Sequence, residues 1–177
     1  MKNKGTLLMK KLLLILSILF LIPNLCFAFG LNKKENKMIS LEQYQKTIMF
    51  PVGNTNDAYA KYFIGQSYLA PVSTEQVKIY NVTFEPKCRN NWHIHKAKSG
   101  GGQMLIAIGG RGYYHEWGKK PIEMKPGDVI NIPANVKHWH GAAPDSWFSH
   151  LAVEVDGVET SNEWLEPVTD EEYSKLK

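Results

Sequence analysis

From Lys61 onward, apolar and polar residues alternate in short runs, the period-two pattern of half-buried strands. The runs are 61–69, 76–86, 91–95, 103–108, 112–117, 121–125, 128–133, 137–142 and 147–155. Each is rich in aromatic and β-branched residues and bounded by Gly, Pro, Asn or Asp, the residues that turn a chain between strands. Pro126-Gly127-Asp128 and Gly109-Gly110-Arg111-Gly112 are turns of this kind. QMLIAI (103–108) is apolar on both faces, which predicts burial against a second sheet or a second subunit. Helical pattern is confined to Leu41–Ile48 and to Thr169-Asp170-Glu171-Glu172, a capping box that opens a short helix running to Leu176. Many short strands without intervening helices predict an all-β domain, a sandwich or barrel, over 59–177. A polar, lysine-rich arm (29–58, containing LNKKENK) precedes it.

The first 28 residues have a different texture. Lys2, Lys4, Lys10 and Lys11 are followed by Leu12–Ile22, apolar except for Ser17, then Pro23-Asn24 and Cys26-Phe27-Ala28. A basic start, an apolar run shorter than the ~20 residues of a membrane span and small residues at a cleavage position predict a signal peptide over 1–28. An uncleaved anchor is the alternative. The chain is therefore expected to be exported, periplasmic or secreted, with no stable membrane association after cleavage. Cleavage also changes the charge: the formal +4 comes from those four lysines, since 1–28 carries no acid. A neutral mature chain argues against a nucleic-acid partner. It leaves Cys88 without Cys26, so no intramolecular disulfide forms, and stability must come from the core, a metal or oligomerisation.

All six histidines fall between residues 93 and 150. In a strand, His93 and His95 project to one side, and so do His138 and His140. Neutral imidazole is a common nitrogen ligand, and two such pairs on neighbouring strands can converge on one metal. In the run 147–155, Phe148, His150, Ala152 and Glu154 share a face. His115, alternating with Tyr113 and Trp117, reads as a packing or rim residue. Trp92, Trp139 and Trp147 read as core and dimer packing.

These residues resemble the cupin superfamily. Its first motif is HxH, then an acid or amide, six residues and a Gly; here it is His93-x-His95, Gln103 and Gly110. Its second is matched by Gly127, five residues, Pro133, Ala134, Asn135, two residues and His138. The resemblance implies a cupin double-stranded β-barrel (jelly roll) with His93, His95, Gln103 and His138 as metal ligands. The chain departs from the pattern at Lys87 and Asn135, where Gly is usual, and at Ala142, where Asn often stands. Ser99-Gly100-Gly101-Gly102 lengthens the gap before Gln103, and counting back from Gly110 selects Gln103 as the ligand.

HWHGAAPDSWFSHLAVE and NEWLEPVTDEEY are similar to the cupins that include manganese-dependent hydroxynitrile lyases, and to cupin modules found beside carboxymuconolactone-decarboxylase-like domains. That resemblance implies a divalent ion, Mn²⁺ foremost, with Fe²⁺, Zn²⁺ or Ni²⁺ as alternatives. It makes His140 and His150 catalytic candidates; Glu154, on the face of His150 and so placed for proton transfer, is a third, standing where those lyases carry an amide. Three imidazoles and a neutral amide leave the ion's positive charge uncompensated, which favours an alkoxide or enolate. The expected function is a small-molecule lyase with a nearby His as proton shuttle. A non-catalytic cupin that binds a small ligand and a metal-dependent dioxygenase stay open. A homodimer or higher homo-oligomer is expected.

Overall fold

The computed structural model describes residues 38–176. The predicted signal peptide (1–28) and the first part of the arm (29–37) lie outside the described residues. Ten main strands carry the fold: β1 (Ser67–Ser73), β2 (Ile79–Phe84), β3 (His93–Lys96), β4 (Gly102–Gly110), β5 (Gly112–Glu116), β6 (Ile122–Met124), β7 (Val129–Pro133), β8 (Lys137–Ala142), β9 (Phe148–Glu154) and β10 (Ser161–Trp164). One sheet runs Asn54–Thr55, β1, β2, β9, β4, β7; the other runs β6, β5, β8, Arg89–Asn90, Phe63–Ile64, with β3 joining β8 to β10. The named pairs are antiparallel. Two such sheets face to face form a jelly roll, and the all-β expectation holds.

Alternation decides what lies between the sheets. Along β4 the burial follows period two, with Gln103, Leu105 and Ala107 buried and Met104, Ile106 and Ile108 half-buried. Leu105 and Ala107 join Val82, Phe84, Met124, Ile132, Phe148 and Ala152 in the main core. Outside the second sheet, Trp92, Tyr113 and Trp139 are covered by Val168 and Tyr173 of the C-terminal segment. Outside the first, Trp147 packs with Tyr44 and Val52 of the arm, and the Tyr44 and Trp147 rings stack at 5.2 Å. Trp139 and Trp147, expected in core and dimer packing, thus find partners within their own chain.

Both short helices form where their caps are. Helix α1 (Leu41–Gln45) is closed by a Ser40/Gln43 capping box, and helix α2 (Asp170–Tyr173) by Thr169/Glu172. No helix of the described residues is long and apolar enough to cross a membrane. Two departures from the pattern concern strands. The run 61–69 is not one strand: a 3-10 turn (Asp57–Tyr62) leads to Phe63–Ile64, and Gly65 at φ +85° redirects the chain before β1. β10 is built from Ser161-Asn162-Glu163-Trp164, too polar to show alternation, yet it pairs along β3.

Candidate metal centre

β8 runs antiparallel to β3 with His138 opposite His93. Alternation places His95 on the same side as His93, and the register brings His138 to both. Three imidazoles result whose ligand atoms all lie within 4.8 Å of one another, a group that could hold a metal ion. The backbone orients two of them: Nδ1 of His93 is 2.9 Å from the Asn91 carbonyl oxygen, and Nδ1 of His138 is 2.9 Å from that of Val136. A carbonyl only accepts, so each Nδ1 carries the proton and each Nε2 offers a lone pair.

His95 Nε2, His138 Nε2 and Gln103 Oε1 are buried without a hydrogen-bond partner in the protein. Such atoms each cost about 1–3 kcal/mol, and all three are lone-pair donors, so the set fits a divalent cation. Gln103 reaches this group because the preceding glycines curl: Gly100, Gly101 and Gly102 have φ of +61°, +73° and +97°, a run that side chains rarely adopt. Burial holds the rings neutral, which is the ligating form. It drives His93 well below its ordinary range, with His138 and His95 adding to the effect, and takes His138 to about 4. His95 is also lowered by burial, against the opposing influence of Asn162, Glu154 and Gln103.

His140 lies next along the same face of β8, and the structure brings His150 of β9 to it from the opposite sheet, at 3.0 Å between His140 Nδ1 and His150 Nε2. Asn90 holds the other side. Its Oδ1 accepts the His140 backbone N–H at 2.9 Å, so its Nδ2 faces the ring, 3.0 Å from Nε2 and 3.3 Å from Nδ1. An amide nitrogen only donates, so the closer ring nitrogen, Nε2, accepts. The proton of His140 is then on Nδ1 and is donated to His150 Nε2. Burial keeps both rings neutral: His140 is well below its ordinary value and His150 falls to about 3.

A cavity of about 360 Å³ opens onto His93, His95, Gln103 and His140, with Phe63, Leu69, Tyr80, Val82 and Trp164 among its apolar walls. His150 is fully buried behind His140 and does not line it. Glu154 does line it, opposite Gln103 in register. Its carboxylate acts on His95, not His150, and lies 3.8 Å from Lys78 Nζ. His115 is a packing residue on the outer face: its Nδ1 accepts from Trp139 Nε1 at 3.1 Å, and its Nε2 donates to the Lys119 carbonyl at 2.7 Å. Sequence reasoning missed Asn90, Asn162 and Trp164. Trp164 stacks on Tyr62 at 4.5 Å and packs against His93 at 4.8 Å. No local spacing signals them, because Asn162 and Trp164 arrive only by pairing opposite His95 and His93.

Comparison with known proteins bears on the family and the fold. A family model described as Cupin domain matches residues 80–154. The chain is 42% identical over 97 residues to an (R)-mandelonitrile lyase of Granulicella tundricola, covering 54% of this chain and 70% of that protein. It is 38% identical to a cupin-like protein of Thermotoga maritima, with a TM-score of 0.63, covering 72% of this chain and 95% of the other.

Proposed function

The chain belongs to the cupin family, and from that premise we propose that it is an exported, metal-dependent lyase that cleaves a small cyanohydrin-like substrate. The observation that carries this reading is the convergence of buried, unpartnered lone-pair donors on His95, His138 and Gln103 around the three-histidine group. His93, His95, His138 and Gln103 would hold a divalent ion, Mn²⁺ in this reading, and that ion supplies Lewis-acid stabilisation of negative charge on a substrate oxygen. All four donors are neutral, so the donors themselves cancel none of that positive charge.

The chain's own residues handle the proton. A substrate hydroxyl that displaces Asn90 from His140 Nε2 gives its proton to that nitrogen, and His140 Nδ1 can pass its own proton to His150 Nε2. The C–C bond then breaks with its electron pair on the nitrile carbon, an aldehyde forms, and the proton returns through His140 to make hydrogen cyanide. Burial makes the protonated pair a strong acid, which suits it to release rather than keep that proton. The apolar walls at Phe63, Leu69, Tyr80 and Val82 take the substrate's hydrocarbon part and exclude water. Export rests on the basic and apolar pattern of residues 1–28.

The test is elemental analysis of protein purified without chelator, followed by a cleavage assay with mandelonitrile. Stoichiometric divalent metal with chelator-sensitive release of benzaldehyde is the expected result. Absence of metal overturns the enzyme reading. Metal without cleavage leaves a metal-bearing, ligand-binding cupin and removes the lyase assignment.

A further inference from the structure

The second cupin motif places Asn135 where glycine is usual, and the site's lengthened loop lies directly against it. Asn135 has φ +66°, a left-handed conformation that Asn tolerates better than most residues. The same position therefore keeps its turn and gains a side chain. That side chain clasps one residue of the loop from both sides: the Ala97 N–H donates to Asn135 Oδ1 at 3.2 Å, and Asn135 Nδ2 donates to the Ala97 carbonyl at 2.9 Å. The Asn135 backbone N–H adds a bond of 2.8 Å to the carbonyl of His95 itself.

The far end of the loop is held differently. Ser99–Gly100 pairs with Gly157–Val158 as a two-stranded sheet, and the Gly101 N–H donates to the Asp156 carbonyl at 2.9 Å. Gly100 and Gly101 of that far anchor, and Gly102 after it, are in left-handed conformations, and the freedom of glycine makes such a loop costly to order without anchors. His95 precedes the loop and Gln103 follows it, so the path between two donors of the group depends on both anchors. Resting on the reading of His93, His95, Gln103 and His138 as a metal site, we infer that Asn135 is a positioning residue: by clasping Ala97 it fixes the inserted loop and sets the distance between His95 and Gln103. A glycine at 135 would keep the turn and lose the clasp.

Asn135→Gly separates these roles. In metal-free protein the Ala97 amide should exchange with solvent at least about tenfold faster, while the melting temperature changes little, because glycine accepts φ +66°. Mn²⁺ affinity, measured by calorimetry, should fall by about tenfold, the lower end of what losing outer support of a ligand costs, although the backbone bond to His95 remains. Asn135→Asp retains the acceptor for the Ala97 N–H and loses the donor, so its exchange and affinity should fall between wild type and glycine. Unchanged Ala97 exchange in Asn135→Gly overturns the clasp. Faster exchange with unchanged Mn²⁺ affinity overturns the positioning role. If wild-type protein binds no Mn²⁺, the proposed function and the positioning role both fall, while the exchange comparison still decides whether the clasp exists.

Discussion

Glu154 puts a carboxylate in the cavity wall beside His95, where its charge opposes what the neutral donor set achieves. Any negative charge that develops on substrate or product is repelled by it, and Lys78 at 3.8 Å offsets it only in part. Glu154→Gln should therefore raise kcat/KM for mandelonitrile two- to fivefold, the effect of roughly 0.5–1 kcal/mol expected from a half-exposed charge. Metal content should not change. A fall in kcat at constant metal content would mean that the carboxylate itself moves the proton and that the His140–His150 assignment is incomplete. At this scale the sequence was readable wherever a role depends on local spacing. His93 and His95 two apart in a strand are co-facial by geometry, whereas Gln103 was singled out only by the cupin resemblance, through its count before Gly110. Asn90 and Trp164 were not readable, since each enters the site through a contact with a residue about 50 or 70 positions away (His140 and His93) that no periodicity encodes.

At the scale of elements, the strands follow from alternation and the departures follow from glycine. Gly65 breaks one apolar run at a positive φ. Gly102 ends the inserted loop and starts β4 at φ +97°, where an added Cβ would overlap the Ile132 carbonyl oxygen. That carbonyl belongs to β7, the neighbour that pairs Ile132 with Gln103, so the overlap cannot be relieved without shifting the strand that carries Gln103, the proposed fourth donor. Gly118 also has a positive φ (+78°), but nothing lies within 4 Å of its added Cβ. Gly118→Ala should cost only the backbone penalty of about 1 kcal/mol. Gly102→Ala should cost at least about 2 kcal/mol in urea unfolding and weaken metal binding as well. Equal losses from the two substitutions would show that strand β4 can shift freely and that the glycine run does not hold Gln103. β10 carries the complementary lesson: three polar residues and a Trp form a strand because β3 offers them an edge, so tertiary pairing and not propensity decides the element.

The whole molecule folds around a cluster of imidazoles kept uncharged by burial, and this makes its stability depend on pH in a stated direction. His93, His95, His138, His140 and His150 all have lowered pKa values, with His138 near 4 and His150 near 3. In the unfolded chain each takes up a proton near the ordinary 6.5. Between 6.5 and the folded values the unfolded chain binds more protons, so stability rises with pH in that window and is lost as pH falls through it. Each histidine contributes up to about 1.4 kcal/mol per pH unit. Chelator-treated protein should therefore lose melting temperature from pH 6.5 downward, by about 10 °C or more at pH 4.5 if only two of the five act in full. The onset identifies the cause, because unperturbed carboxylates begin to titrate roughly two units lower. A melting temperature that is flat from pH 7 to pH 5 would show that protons reach these rings in the folded state. The barrel interior would then be wet, and the unpartnered Nε2 atoms of His95 and His138 would have water as their partner.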